Sequence, residues 1–205
     1  HARYTCNPFD PVQLFIAQTN LQADKKLMGD VFRARVKECA SIAQQTNVNL
    51  VLRDHTHSDY FLTKNRDEIV NRSTLLDLIS LDFKVQSLVT IRNPLEAYSS
   101  LKNNNWDHFI SNFSEYCERL CMMTEHYKTR NIPIMRYEDF CLDPTGFLKC
   151  VCKILDLEFN SDFHKNFHQI PMTGDSGRGR SESLKTIKQL PPKFIPSELL
   201  LEASV

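Results

Sequence analysis

Residues 85–102, VQSLVTIRNPLEAYSSLK, constrain the fold of this chain more than any other stretch. Leu88, Val89 and Ile91 form a short apolar run suited to a buried strand, and Arg92 follows it directly. Asn93 and Pro94 then turn the chain into a helix that carries Ser100. Proline suits the first helical position because the N–H it lacks would have no partner there anyway. Ligands of open α/β sheets bind beyond the carboxyl ends of the strands. An arginine at such an end, a helix starting two residues later and a hydroxyl on that helix make a compact anion site. The same residues also allow a plainer arrangement, a strand-to-helix junction with Arg92 in a surface ion pair.

The chain of 205 residues is long enough for one domain with a real core, and 41% hydrophobic against 24% charged residues is ordinary globular composition. The formal net charge is zero, so lysine and arginine exert no bulk attraction on nucleic acid or an anionic membrane, and an anion site has to be local. No apolar window is long enough for a membrane span. The seven cysteines form no CxxC pair with a matching partner, so no metal is expected. Buried free thiols are the simplest account of them, and they point to a reducing, cytoplasmic compartment. Sequons at Asn71 and Asn112 leave the secretory-pathway lumen open. The first residue is His1, and an amino-terminal segment ahead of it is expected.

Periodicity predicts helices over 11–22 and 31–46, separated by Gly29-Asp30 with Asp30 as N-cap. A buried parallel strand is predicted over 48–53 (VNLVLR), a helix around 73–81, and a second strand over 84–91. Helices follow over 94–102 and 106–129, the latter with a core-facing stripe of Phe109, Phe113, Tyr116, Leu120 and Met123. A third strand is predicted at 132–135. Asp143-Pro144 opens a further helix to about residue 155. Residues 171–183 are glycine- and serine-rich. Strands alternating with helices imply an α/β fold with a parallel sheet.

Four stretches, in order, resemble the sulfotransferases that use 3′-phosphoadenylyl sulfate (PAPS). Arg53-Asp54-His55 is similar to that family's strand ending in Lys-x-His. Arg92 and Ser100 have the eight-residue spacing of its 3′-phosphate signature. IPIMRYEDF resembles its strand-Arg-Tyr-Glu-Asp segment, and TGDSGRGR its late glycine- and arginine-containing loop. The resemblance covers residues 48–183. It implies a three-layer α/β/α fold with a central parallel sheet, of the P-loop NTPase-like sulfotransferase type, in a single domain over 1–205. The family's amino-terminal strand and 5′-phosphosulfate loop have no counterpart here.

The resemblance further implies transfer of a sulfuryl group from PAPS to a hydroxyl acceptor, a small molecule or a carbohydrate, leaving PAP. His55 would be the catalytic base, with His57 as substitute, since a histidine near neutral pKa can take the acceptor's proton. Arg92, Ser100, Gly177, Arg178 and Arg180 would hold the cofactor's phosphate, and Arg53 would face it. The cluster Arg136-Tyr137-Glu138-Asp139 reads as structural, its carboxylates at a helix start or on nearby donors. Trp106 suits helix-start packing better than an acceptor cleft. Two other functions compete. A nucleotide or nucleoside kinase of related topology would need a Gly-Lys-Ser/Thr loop, and a catalytically inactive sulfotransferase-like interaction module would bind neither PAP nor PAPS.

Overall fold

Four helices in this chain end in the same way, and those endings set the direction of the segments that follow. The computed structural model describes residues 25–53, 60, 61, 69, 75–105, 109–167, 187, 195 and 197–202. In chain order its elements are α1 (Lys25–Gln45), α2 (Leu75–Ser80), β1 (Val89–Ile91), α3 (Pro94–Asn103) and α4 (Phe113–Thr129). Then come β2 (Ile134–Arg136), α5 (Tyr137–Leu142), α6 (Pro144–Ile154), α7 (Phe163–Asn166) and α8 (Ser197–Glu202). Two residues past the ends of α1, α3, α4 and α6 stand Asn47, Asn105, Asn131 and Asp156, with φ of 54°, 55°, 55° and 54°. Asparagine and aspartate enter this left-handed region at lower cost than other residues with a Cβ. After α4, the Asn131 N–H donates to the Lys128 carbonyl and the Ile132 N–H to that of Tyr127, which closes the helix and launches β2.

The described residues are mostly helical with one two-stranded parallel sheet, an arrangement that is α/β in the broad sense. The chain divides into two compact units, His1–Thr56 with Val70–Val85 and His57–Ile69 with Gln86–Val205.

In the first unit α1 packs on α2, with Val36, Ala43 and Ile79 buried. Gly29 and Asp30 lie inside α1, where a helix break was expected. Asp30 pairs with Lys26 at 2.8 Å and with Arg33 at 3.6 Å, ion pairs along one helical face that offset part of the ~1 kcal/mol cost of a glycine in a helix. Gly29 is buried, and a Cβ there would come within 3.3 Å of Leu78. Residues 48–53, the expected first strand, belong to no ladder and are exposed throughout, Val51 by 67%. An apolar run becomes a strand only where a neighbouring strand takes its N–H and C=O groups. Among the described residues of this unit none does.

The second unit is built around α4. Its Phe113, Tyr116, Met123 and Tyr127 are buried, whereas Phe109 and Leu120 of the expected stripe are not. Tyr116 meets Phe61 at 4.9 Å and Tyr98 of α3 at 5.4 Å between ring centroids, and Tyr98 meets Phe113 at 5.6 Å. The helix starts at Phe113 because the Asn112 side chain accepts the Glu115 N–H, while the Glu115 carboxylate accepts the Ser111 N–H. The expected helix 11–22 and the loop 171–183 lie outside the described residues. None of the six described cysteines is fully buried, and Cys121 and Cys150 are exposed, contrary to the expected buried thiols.

Candidate anion site at the carboxyl ends of the strands

β1 and β2 run parallel, with Val89 opposite Ile134, Thr90 opposite Met135 and Ile91 opposite Arg136. Carried past the ladder, that offset sets Arg92 against Tyr137 and Asn93 against Glu138. Both contacts form. The Arg92 guanidinium lies 5.6 Å from the centroid of the Tyr137 ring, and the Asn93 N–H donates to Oε1 of Glu138 at 2.7 Å. The two strand-to-helix junctions are therefore joined by the sheet register itself.

Arg92 leaves β1 at its carboxyl end, as the sequence predicts, and α3 starts at Pro94 with Asn93 as N-cap. Its Nη2 donates to Oε2 of Glu96 at 2.8 Å, so the ion-pair alternative is realised, with a half-exposed arginine (40%) and a mostly covered carboxylate. Its Nε is buried and donates to no acceptor among the described residues. Arg92 also lies close enough to Tyr116 for its charge to be felt. Burial pushes that phenol up to about 12, Cys117 adds to the rise, and the positive Arg92 draws it partly back.

Ser100 sits one turn beyond Glu96 on the same stripe of α3 and is half-buried, while its neighbour Ser99 is fully buried. Helical spacing puts the Cβ atoms of positions 96 and 100 roughly 5–6 Å apart. Glu96, the acid between Arg92 and Ser100, was not singled out from sequence. The i, i+4 spacing of Arg92 and Glu96 is the signal that would have found it.

One expected element of the site is corrected. The N–H groups at the start of α3 were expected to face an anion, but Oδ1 of Asn93 accepts those of Leu95 and Glu96 at 3.0 and 3.3 Å, and Glu138 takes that of Asn93 itself. The capping chemistry that starts the helix uses the donors an anion would need. What remains is side-chain chemistry: the half-exposed guanidinium of Arg92 and the Ser100 hydroxyl.

Arg136 ends β2 and lies 3.6 Å from Glu138 through its Nε, so each strand delivers one arginine and each following helix one carboxylate. Tyr137 and Glu138 belong to the cluster read as structural, and α5 does hold Glu138 and Asp139 in its first turn. Arg53 is described, exposed and irregular, and belongs to the other unit. His55, His57, Gly177, Arg178 and Arg180 lie outside the described residues.

A separate open cavity of about 520 Å³ is lined by Pro133, Met135, Leu142, Phe147, Cys150 and Ile154, among others. No predicted site residue borders it. Leu142 beside it is 87% exposed, and α6 buries none of its residues. Comparison with known proteins returned no matching family model, no matching curated protein and no matching solved structure.

Proposed function

We propose that this chain carries the 3′-phosphate-binding half of a PAPS-dependent sulfotransferase of three-layer α/β/α architecture. The observation that carries the reading is the pair of parallel strands with Arg92 at the carboxyl end of β1 and Ser100 on the helix that follows. Sulfuryl transfer, like phosphoryl transfer, asks little covalent help of a protein. It needs an acceptor hydroxyl held in line with the leaving phosphate and cations to absorb the developing charge. A terminal 3′-phosphate is a dianion, costly to desolvate unless paired, and the half-exposed guanidinium of Arg92 is a donor suited to its oxygens. In this reading His55 or His57 takes the acceptor's proton, and the loop of Gly177, Arg178 and Arg180 closes over the phosphate. The acceptor is a hydroxyl of a small molecule or a carbohydrate, the by-product is PAP, and the compartment is cytoplasmic. No described helix is long and apolar enough to cross a membrane.

A second reading, a catalytically inactive sulfotransferase-like interaction module that binds neither PAP nor PAPS, is favoured by Glu96. Its carboxylate already holds Arg92, so a phosphate has to compete with it. Only the first reading requires 3′-phosphate recognition. The test is calorimetric titration of the whole chain with PAP and with adenosine 5′-phosphate. One charged hydrogen bond contributes about 1.5–3 kcal/mol, so PAP should bind about 10- to 100-fold tighter, and Arg92→Ala should erase that preference. Equal affinities for the two nucleotides, or a preference untouched in Arg92→Ala, would remove the basis of the proposal. Sulfate transfer from PAPS to a model phenol separates the enzyme from the module.

A further inference from the structure

We infer that Glu138 is a positioning residue, a latch from the β2–α5 junction that sets where Arg92 presents its guanidinium. The inference deepens the proposed anion site and rests on that reading only for its consequence in PAP binding. Its geometric half stands by itself.

The backbone between the end of β1 and the start of α3 has two residues, Arg92 and Asn93, in which to turn. The Asn93 side chain ties the turn forward to α3 through the Leu95 and Glu96 N–H groups. Its backbone N–H ties the turn sideways, at 2.7 Å, to Oε1 of Glu138, 45 residues away. That bond is the first beyond the β1–β2 ladder and continues its register, so it stops the ladder's end from fraying at the residue that carries the guanidinium. Tyr137, the residue before the latch, offers its ring to the same guanidinium at 5.6 Å. The Glu138 side chain is 15% exposed, and its Oε2 is buried without a hydrogen bond among the described residues, 3.6 Å from Nε of Arg136. A carboxylate tolerates such covering when its other oxygen makes a charged bond, as Oε1 does.

The competing account of Glu138 is electrostatic, an acid in the first turn of α5 complementing the helix dipole. The two accounts make crossed predictions. The latch depends on reach and an acceptor oxygen, whereas dipole complementation depends on charge. Glu138→Asp keeps the charge and loses about one methylene of reach, and Glu138→Gln keeps reach and acceptor but loses the charge.

The experiment measures three quantities on the whole chain for wild type, Glu138→Asp and Glu138→Gln. They are the amide exchange rate of Asn93, the NMR signal of the Arg92 Nε–H, and PAP affinity by calorimetry. Expected for Glu138→Asp are exchange at Asn93 about tenfold or more faster, a displaced or broadened Arg92 Nε–H signal, and PAP binding about tenfold weaker. Glu138→Gln, which keeps the acceptor but makes the bond a neutral one, should fall closer to wild type than Glu138→Asp in both rates and affinity. The reverse order, or an Asn93 amide unmoved in Glu138→Asp, overturns the latch. Unchanged PAP affinity in Glu138→Asp while Arg92→Ala abolishes it also overturns the positioning role and leaves the anion site standing. If wild type does not bind PAP, the functional reading falls, and the Asn93 exchange rate and the Arg92 Nε–H signal still decide the latch.

Discussion

Replacing Arg119 by methionine should cost the second unit about 3 kcal/mol, a figure that follows from what the guanidinium holds. Its side chain, on α4, is only 2% exposed. Nη1 donates to the Tyr60 carbonyl at 3.1 Å and Nη2 to that of Phe109 at 3.1 Å, while Nε and Nη2 share Oε1 of Glu115 at 3.1 and 2.6 Å. Buried ion pairs can often be exchanged for apolar groups at little cost, because both charges leave together. Here two of the acceptors are backbone carbonyls, which no side-chain exchange removes. An acceptor left without a donor costs about 1–3 kcal/mol. Tyr60 is fully buried and should stand near the top of that range, whereas Phe109 is partly exposed and its carbonyl can recruit water, placing it near the bottom. Glu115 keeps the Ser111 N–H and some exposure, so it adds little.

Methionine keeps the aliphatic bulk, and relief of the arginine's own desolvation offsets part of the loss. In a chain of this size about 3 kcal/mol corresponds to a midpoint roughly 6–12 °C lower. Urea and thermal unfolding followed by circular dichroism measure it, and Arg119→Lys, with one donor point in place of a fork, should fall between. An Arg119→Met protein within about 0.5 kcal/mol of wild type would refute the carbonyl argument.

Two further predictions concern pH. Burial raises the Tyr116 phenol from 10.0 to about 12, so the stability it contributes is complete below pH 10 and is lost as pH rises toward 12. Two pKa units correspond to about 2.7 kcal/mol, and Tyr116→Phe should flatten that alkaline loss in urea midpoints measured across the range. In the first unit, hydrogen bonds from Arg33 and then Lys37 lower Asp82 from 3.8 to about 2, so its contribution is present above 3.8 and is lost as pH falls through 2. Asp82→Asn should lower the melting midpoint at neutral pH and remove the slope between those values. An identical acid slope in wild type and variant would count against the Arg33–Asp82 bond at 2.7 Å as a link between α1 and the end of α2.

The helix starts were legible in the sequence because their physics is local. Asn93-Pro94 and Asp143-Pro144 each cap a helix through a side-chain oxygen that reaches an N–H two or three residues on, whereas the helix expected from residue 106 starts at Phe113, where Asn112 and Glu115 cap it in both directions. Such bonds form wherever the dipeptide occurs, so reading it is enough. The break expected at Gly29-Asp30 failed for a related reason. Its competitors, the Lys26 and Arg33 pairs, lie within one turn but on a helix face that a linear reading of glycine as punctuation does not weigh.

Register, by contrast, belongs to the fold. Nothing near residue 93 announces that its N–H meets a carboxylate at 138, since that bond exists only once two parallel strands have aligned. The apolar run at 48–53 shows the same dependence from the other side. Its composition suits a strand, but a strand is a relation between two segments, and no described neighbour completes it. Sequence thus determined the caps at Asn93 and Asp143 and an arginine followed by a hydroxyl eight residues on. Tertiary structure decided which donors are already taken, because the caps and Glu138 use the backbone amides at the start of α3 and Glu96 holds the guanidinium of Arg92.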